Sequence, residues 1–267
     1  MRVRVASESG RPDGRNEDWS GATNHVAVVL DGLSEAPETG CVHGTPWYVR
    51  QLGSRLVGLA DEAMVLPLPM VLASAIREVA DLHKGSCDLK HPGSPCSTVA
   101  MIRHLGRSTE FLILSDSVIV LDRESDSPVI MQDKAVDSFA SHAAAAAITA
   151  AGKDDKSALT ALIQEQQKIR NKPGGYWVAQ VDPAAAQYAK TGSMTDIRGA
   201  VLLSDGAALL VTDFHAMDWP ALLTLAYQEG PAELIARTRA LEDQDPHGET
   251  WPRYKHRDDA TAVVCVM

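Results

Sequence analysis

Four aspartates stand at the ends of short apolar, strand-like segments, and this repeated placement is the feature of the sequence most suited to chemistry. Asp31 follows HVAVVL, Asp116 follows EFLILS, Asp205 follows AVLLS, and Asp258 stands just before DATAVVCV. A carboxylate at the rim of a sheet can point into a shared cleft, where several carboxylates repel one another unless a cation compensates their charge. Hard oxygen ligands suit Mg²⁺ or Mn²⁺ better than zinc, so the pattern predicts a site for such ions.

Glycine directly follows two of these aspartates, at Gly32 and Gly206. Glycine allows a close approach of the backbone, so a carbonyl group beside Asp31 can also face a metal ion. Asp-Gly is common in turns, and one copy by itself predicts nothing more than a turn. Several such segments in one chain are much more specific.

The segments around the aspartates predict antiparallel sheets with helices packed outside them. Adjacent short strands occur without helices between them, which fits parallel βαβ winding less well. Alternating or continuous apolar runs predict strands over residues 3–6, 25–30, 97–104, 110–122 (as two strands), 176–181, 200–203 and 260–266. Apolar residues at helical spacing predict helices over residues 47–64, 71–84, 138–151, 156–171, 220–228 and 232–242.

Composition and charge narrow the class of protein. The 267 residues carry a formal net charge of −10, which argues against a chain that mainly coats nucleic acid or anionic lipid. No window approaches the roughly 20 apolar residues of a membrane helix, and the N-terminus shows no signal-peptide pattern. We expect a single cytoplasmic domain over residues 1–267 with no nucleic-acid or membrane partner. The oligomeric state is not predicted.

The four cysteines are Cys41, Cys87, Cys96 and Cys265, and their spacing fits neither a zinc motif nor a compact disulfide framework. We interpret them as free thiols in a reducing compartment. Cys41 and His43 could bind a soft metal, but no second pair completes such a site. A packed loop leading into the first helix is the interpretation we favour for this segment, and a substrate-binding loop is the alternative.

The aspartate segments and their neighbours follow the order of the motifs of the protein phosphatase 2C (PPM) family. The chain resembles this family, and its bacterial members in particular, over nearly its whole length. The resemblance rests on Asn16-Glu17-Asp18, Asp31-Gly32, Cys96-Ser97-Thr98-Val99-Ala100, Leu114-Ser115-Asp116-Ser117, Leu203-Ser204-Asp205-Gly206 and Arg257-Asp258-Asp259-Ala260-Thr261. It implies an α+β fold, a four-layer α-β-β-α sandwich of two antiparallel sheets flanked by helices.

The resemblance also implies two Mn²⁺ or Mg²⁺ ions and a third ion that binds more weakly. Asp31 would bridge the first two ions. The other implied ligands are the Gly32 carbonyl, Asp205 and Asp258, then Glu17 and Asp18, directly or through water, and Asp116 for the third ion.

The activity implied by the resemblance is hydrolysis of phosphoserine or phosphothreonine in proteins, by in-line attack of a hydroxide that bridges the two ions. Two alternatives remain open. One is a phosphatase of a small phosphorylated metabolite or of one dedicated partner, and the other is a metal-binding pseudophosphatase. Asp31, Asp205 and Asp258 are all present, which argues against a degenerate site.

The chain departs from the family around the loop after Asp31. Residues 31–35 read Asp-Gly-Leu-Ser-Glu, without the usual further glycines and without the histidine that would protonate the leaving oxygen. Water can replace that acid, and His43 is a spare candidate for it. Glu35 or Glu38 would either add a carboxylate near the ions or belong to a solvated loop.

A second departure concerns the arginine that binds phosphate in the family, because Asp13 occupies its usual position. Arg15 and Arg11 flank it, and either guanidinium can reach a phosphate, with Arg15 the first candidate. Residues 172–194 lie where the family has its flap. Tyr176 and Trp177 in that segment serve either packing or substrate contact.

Overall fold

The structure, a computed structural model, describes residues 1–35, 38–124, 127–138 and 157–267. Its strands are β1 Arg2–Glu8, β2 Trp19–Ala22, β3 Val26–Leu30, β4 Val99–His104, β5 Ser108–Leu114, β6 Val118–Arg123, β7 Val129–Met131, β8 Lys190–Thr195, β9 Ile197–Leu203 and β10 Ala260–Val266. They form two antiparallel five-stranded sheets. The first sheet has the order β1-β10-β9-β6-β7, and the second has the order β2-β3-β4-β5-β8.

In the described part of the chain, four helices begin where the sequence places a proline. The helices in these ranges are α1 Thr45–Glu62, α2 Leu68–His83, α3 Ser157–Ile169, α4 Asp205–Thr212, α5 Trp219–Gln228 and α6 Pro231–Gln244. Proline stands in the first turn of α1, α2, α5 and α6, where the missing amide hydrogen costs no intrahelical hydrogen bond. Within this part of the chain, no helix has the length and apolar character needed to cross a bilayer.

Strand β3 shows why the molecule has layers. All five of its residues are buried. Val26, Val28 and Leu30 pack against α1 and α2, whereas Ala27 and Val29 pack against the other sheet. Since successive side chains of a strand point to opposite faces, both faces of this sheet must be covered.

Three apolar layers hold the sandwich together. Helices α1 and α2 cover the second sheet through residues such as Leu52, Leu72 and Ile76. Helices α4, α5 and α6 cover the first sheet. Between the sheets lies a third layer, which includes Ile113 and Leu202. The four-layer α-β-β-α prediction is therefore confirmed.

A buried arginine fastens the helical hairpin α1–α2 to the second sheet. Arg103 on β4 is 1% exposed. Its guanidinium donates from Nε to Glu110 Oε2 at 2.8 Å and to the carbonyl oxygens of Ala63 at 3.1 Å and Leu66 at 2.8 Å. It thus donates to carbonyl groups of the segment that joins α1 to α2, and the Ala63 carbonyl oxygen also accepts from the N–H of Leu66 at 2.9 Å.

The structure corrects several element predictions. Residues 176–181 are not a strand, because they make only isolated pairings, Tyr176 with Arg170 and Ala179 with Ser97. Helix α4 was not predicted, since Asp-Gly suggested only a turn. Strands β2, β7 and β8 were also missed, and all three lie at sheet edges, where strands are short and polar. Of the helix predicted over 138–151, all but residue 138 lies outside the described residues.

Candidate metal centre

The four rim aspartates meet in one cleft. Asp31 follows β3, Asp116 lies in the turn between β5 and β6, Asp205 begins α4, and Asp258 lies just before β10. All four line a cavity of about 140 Å³. The two sheets contribute equally, because β3 and β5 belong to the second sheet and β9 and β10 to the first.

Asp31 and Asp205 are in direct contact across the two sheets. The backbone N–H of Asp205 donates to Asp31 Oδ2 at 3.2 Å. Burial raises the pKa of Asp31 well above its ordinary value, and the charges of Asp205 and Asp18 raise it further. Three carboxylates therefore compete for ionisation here, which is the situation that a bound cation relieves.

The pKa of Asp205 is raised to about 7, first by its removal from bulk water and then by the negative charges of Asp258 and Asp116. Its side chain stays open to the cleft, so solvent screens part of this repulsion.

Asp18 lies beneath the same cleft and is 8% exposed. Burial raises the pKa of its carboxyl group well above the ordinary value, while the hydroxyl groups of Thr261 and Ser204 offset a part of this. Among the described residues, its buried Oδ2 atom has no hydrogen-bond partner. A buried oxygen without a partner is costly unless an ion or water satisfies it.

Asp259 positions the segment that carries Glu17 and Asp18. Its carboxylate accepts hydrogen bonds from the backbone N–H groups of Gly10 at 2.9 Å and Glu17 at 2.7 Å. The sequence placed Asp259 in a motif but assigned it no role. The structure shows that it holds the N-terminal segment against the start of β10.

Gly32 is required by the same packing. Its N–H donates to the Glu17 carbonyl oxygen at 3.1 Å. A Cβ atom at this position would lie 2.4 Å from that oxygen and 2.3 Å from Cγ2 of Thr45. Contacts this short force the backbone to move, so only glycine lets the loop pass this close to Glu17.

Glu17 is 2% exposed and forms ion pairs with both candidate phosphate-binding arginines. Arg11 Nη2 contacts Glu17 Oε2, and Arg15 Nη2 lies 3.4 Å from Oε1. Burial raises the pKa of Glu17, and Arg11 partly reverses the shift. Arg15 also binds Glu35 Oε2 at 3.0 Å. In this state both guanidinium groups neutralise carboxylates at the edge of the site.

Lys255 was missed by sequence reasoning. Its Nζ atom lies 2.6 Å from Asp258 Oδ1. Burial lowers the pKa of Lys255, but the charges of Asp258, Asp205 and Asp31 outweigh this effect and raise the pKa. An ammonium group therefore neutralises part of the acidic cleft. The only sequence signal was a lysine three residues before Asp258, in a loop that appeared merely polar.

Asp116 lies in a strained turn at one side of the cleft. The preceding Ser115 has a φ of 70°, in the left-handed region that non-glycine residues rarely adopt. The Asp116 carbonyl oxygen accepts from Gln132 Nε2 at 3.0 Å. Such strain is often found at functional sites, and here it fixes the direction of the aspartate.

The other candidates are not among the described residues that line the cavity. Glu35 accepts a hydrogen bond from Thr45 Oγ1 at 2.9 Å at the start of α1. His43 stacks on Trp47, with ring centroids 4.2 Å apart, and does not line the cavity. Trp177 stacks on Tyr188, with ring centroids 3.5 Å apart, and this contact favours the packing interpretation for Trp177. Glu38 is not among the described residues that line the cavity.

The donor set fits hard divalent cations. The cleft and its floor offer carboxylate oxygens, one of them buried without a partner, and the backbone carbonyl at Gly32. Oxygen donors with several negative charges are the ligands that Mg²⁺ and Mn²⁺ prefer.

The raised pKa values predict how the metal-free protein responds to pH. Native Asp205 holds its proton up to about pH 7, whereas an unfolded aspartate loses it near 3.8. Between these pH values the native state binds more protons than the unfolded state. The stabilisation that protonated Asp205 provides is therefore present below about pH 4 and is lost as the pH rises to about 7. This difference in pKa corresponds to about 4 kcal/mol in the free energy of unfolding. Solvent in the cleft screens the charges and reduces the contribution to about 1–2 kcal/mol.

Urea unfolding in chelator at about pH 5 and about pH 8 measures this contribution, as the difference between the native protein and Asp205→Asn. The substitution should stabilise the protein more at the higher pH. An equal effect at both pH values would contradict the raised pKa of Asp205.

A second prediction concerns Lys255. Replacing Lys255 with methionine removes a cation that competes for Asp258, so we expect Mn²⁺ to bind about tenfold more tightly, a gain of about 1.4 kcal/mol. Isothermal titration calorimetry measures the change. Lys168→Met is the control, because Lys168 pairs with Glu165 on the exposed surface and should not matter. Weaker Mn²⁺ binding by the Lys255 variant would show that the ammonium group supports the site.

Comparisons with known proteins agree with this architecture. The chain matches no protein-family model, and no curated protein matches it. Among solved structures it is similar to the catalytic domain of the serine/threonine phosphatase PstP, known from Mycobacterium tuberculosis, in complex with two manganese ions. That match has 15% identity and a TM-score of 0.55, and it covers 99% of this chain and 97% of the other.

Two further structures have the same fold. PppA, a regulatory component of T6SS in Pseudomonas aeruginosa, has 16% identity and a TM-score of 0.53, with 99% of this chain and 96% of the other covered. Stp1, a serine/threonine phosphatase from Staphylococcus aureus, has 12% identity and a TM-score of 0.54, with 100% and 95% covered. At these identities the likeness shows the fold, the one that the phosphatase 2C resemblance implied.

Proposed function

We propose that this chain, which has the fold of bacterial serine/threonine phosphatases, is a metal-dependent phosphatase that acts on phosphoserine or phosphothreonine in proteins. The observation that carries the proposal is the convergence of Asp31, Asp205 and Asp258 in one cleft, with the pKa of Asp205 raised to about 7. Carboxylates that raise one another's pKa values at a cleft are typical of a catalytic or metal site.

Two Mn²⁺ or Mg²⁺ ions are the cofactors that we propose for the cleft. Asp31 would lie between them, because it is the carboxylate influenced by both Asp205 and Asp18. The remaining proposed ligands are Asp205, Asp258 and the Gly32 carbonyl on one side, Glu17 and Asp18 on the other, and Asp116 for a third, weaker ion. When bound, such ions lower the pKa of water and stabilise negative charge on a phosphoryl group.

The arginines of the chain would bind the phosphate. Arg15 is the first candidate, because its side chain is 43% exposed and its partners Glu17 and Glu35 are carboxylates that it can leave. Arg11 is the second, with 31% exposure. A guanidinium group binds two phosphate oxygens at once and so orients the ester for in-line attack.

The leaving oxygen would be protonated by water. The loop after Asp31 carries leucine, serine and glutamate instead of a histidine, and His43 lies against Trp47 outside the cleft. Among the described residues, no histidine lines the cleft.

A wider groove beside the cleft favours a substrate larger than a metabolite. It has a volume of about 440 Å³ and shares Asp116, Asp205 and Asp258 with the cleft. Lys134 and Asp213 line its other parts, so charges of both signs face a bound segment. A groove of this size can hold residues on both sides of a phosphorylated side chain.

A pseudophosphatase is the second candidate, and two observations favour it. Lys255 pairs with Asp258 in the place that a metal ion would take. Both candidate arginines form ion pairs with Glu17. A site neutralised by the protein's own side chains needs no metal for stability.

Hydrolysis of p-nitrophenyl phosphate and of a phosphothreonine peptide, with Mn²⁺ or with chelator, tests the proposal. Turnover that needs Mn²⁺ and is lost in Asp205→Ala, but not in the surface control Asp81→Asn, would support it. Calorimetry on the same samples separates the alternatives. Mn²⁺ binding that depends on Asp205 without turnover of either compound would favour a narrow specialist or a pseudophosphatase, and absence of binding would rule out the two-metal site.

A further inference from the structure

Two cysteines and two histidines meet at the other end of the loop that begins at Asp31. Cys41 and His43 come from the segment before α1, and His83 and Cys87 come from the end of α2 and the turn after it. One ligand atom from each lies within 4.8 Å of the others. The structure thus supplies the second pair whose absence from the sequence argued against a soft-metal site.

The separations match a tetrahedral zinc ion. Bonds of about 2.3 Å to sulfur and about 2.0–2.1 Å to nitrogen place ligand atoms about 3.3–3.8 Å apart. Cys41 Sγ lies 3.7 Å from His43 Nδ1 and 3.6 Å from His83 Nδ1, and Cys87 Sγ lies 3.3 Å from His43 Nδ1. The two sulfur atoms, 3.1 Å apart, would have to separate by less than about 1 Å.

The local backbone already presents these ligands inward. His83 is the last residue of α2, and the N–H of Cys87 donates to its carbonyl oxygen at 3.0 Å, so one turn carries both side chains. The N–H of Val42 donates to Cys87 Sγ at 3.4 Å, a contact that stabilises a thiolate. Trp47 stacks on the His43 ring, which restricts the orientation of that ligand.

Without a metal, the contacts in the cluster compensate little for the burial of the His83 ring. It is 1% exposed, and its Nε2 atom has no hydrogen-bond partner in the described part of the chain. Its Nδ1 atom lies 3.6 Å from Cys41 Sγ, and a thiol is a weak hydrogen-bonding group. A metal bond to Nδ1 would compensate for burying this ring.

We propose that Cys41, His43, His83 and Cys87 form a closed structural site for one Zn²⁺ ion, separate from the aspartate cleft. Thiolate and imidazole ligands select zinc over the Mn²⁺ or Mg²⁺ that the carboxylates prefer. Four protein ligands leave no open position, so the ion stabilises the fold and takes no part in hydrolysis.

The zinc ion would fix the start of α1 relative to the end of α2. Thr45, two residues after His43, donates from both its N–H and its hydroxyl group to Glu35, and Glu35 binds Arg15. An ion that anchors residues 41–43 therefore also holds Glu35 in place beside Arg15, which is the first candidate for phosphate binding.

Metal titration of the full-length protein tests the site. Reduced, chelator-treated protein is titrated with Zn²⁺ against a chromophoric chelator, and with Co²⁺ to detect thiolate-to-metal absorption. We expect about one tightly bound zinc per chain, a cobalt spectrum typical of tetrahedral sulfur ligation, and an unfolding temperature about 5 °C or more higher with zinc.

The double variant Cys41→Ser/Cys87→Ser should lose at least about 100-fold in zinc affinity, whereas Cys96→Ala, which changes a buried thiol outside the cluster, should not. Asp31→Asn should keep the zinc and cobalt signals, which shows that the cleft is not their source. Mn²⁺ binding by the double variant shows that it still folds.

Three results would overturn the site. They are no zinc uptake by the reduced native protein, equal zinc affinity in the double variant, and a Cys41–Cys87 disulfide that keeps zinc out even under reducing conditions.

Discussion

Asp31→Asn is expected to lower metal-dependent phosphatase activity by about a thousandfold or more while making the metal-free protein more stable. Asp31 accepts the N–H of Asp205, and its pKa is raised well above the ordinary value by burial and by Asp205 and Asp18. An asparagine retains the shape and an acceptor oxygen but carries no charge. The substitution therefore removes repulsion among the carboxylates, which stabilises the metal-free protein. It also removes the negative charge that two cations would share, which lowers activity.

Two measurements on the same samples separate these effects. Initial rates with Mn²⁺ report function, and thermal unfolding in chelator reports stability. Asp81→Asn is the matched control, because Asp81 is exposed and pairs only with Lys84 on the surface of α2. A variant that loses activity and stability together would indicate that Asp31 serves the fold, and one that retains activity would contradict the two-metal proposal.

Arg103→Met is expected to destabilise the protein by about 3–5 kcal/mol. The substitution removes one donor from the Ala63 carbonyl group, removes the arginine donor of the Leu66 carbonyl group, and removes the partner of Glu110. A buried group that loses its hydrogen bond costs its full desolvation energy. Against a typical total stability of about 5–15 kcal/mol, such a loss is large.

Urea unfolding followed by circular dichroism measures this loss. Arg107→Met is the control, because Arg107 lies on the exposed turn after β4 and should change stability by less than about 0.5 kcal/mol. Glu110→Gln should cost less than Arg103→Met, since Glu110 is 30% exposed and the carbonyl contacts remain. A loss below about 1 kcal/mol for Arg103→Met would show that water replaces the arginine.

The aspartate cleft could be predicted from the sequence because strand ends are local features. Apolar runs mark where β3, β9 and β10 lie, and each rim aspartate stands next to one of them or to β5. Helix α4 was missed although it carries Asp205, because Asp-Gly signals a turn and the apolar residues after it fill only two helical turns. Whether the residues after this turn form a helix or a strand depends on how they pack against the first sheet.

The Cys–His cluster could not be predicted in the same way. Cys41 and Cys87 are 46 residues apart, and only the packing of α1 against α2 brings them together. A His-x₃-Cys spacing at residues 83–87 was a signal that could have indicated a second half-site. Lys255 gave only a weak signal, its place three residues before Asp258, since a lysine in a polar loop is ordinarily solvated.

The acidic cleft spans the seam between the two sheets, with Asp31 and Asp116 following strands of one sheet and Asp205 and Asp258 adjoining strands of the other. The thickness of the apolar layer between the sheets therefore sets the distance between the two halves of the site. Small residues such as Ala27 and Ala200 keep that layer thin. If the cleft binds metal as proposed, mutations deep in the interior are consequently expected to change which ion it prefers, because Mg²⁺ and Mn²⁺ differ in the ligand distances that they tolerate.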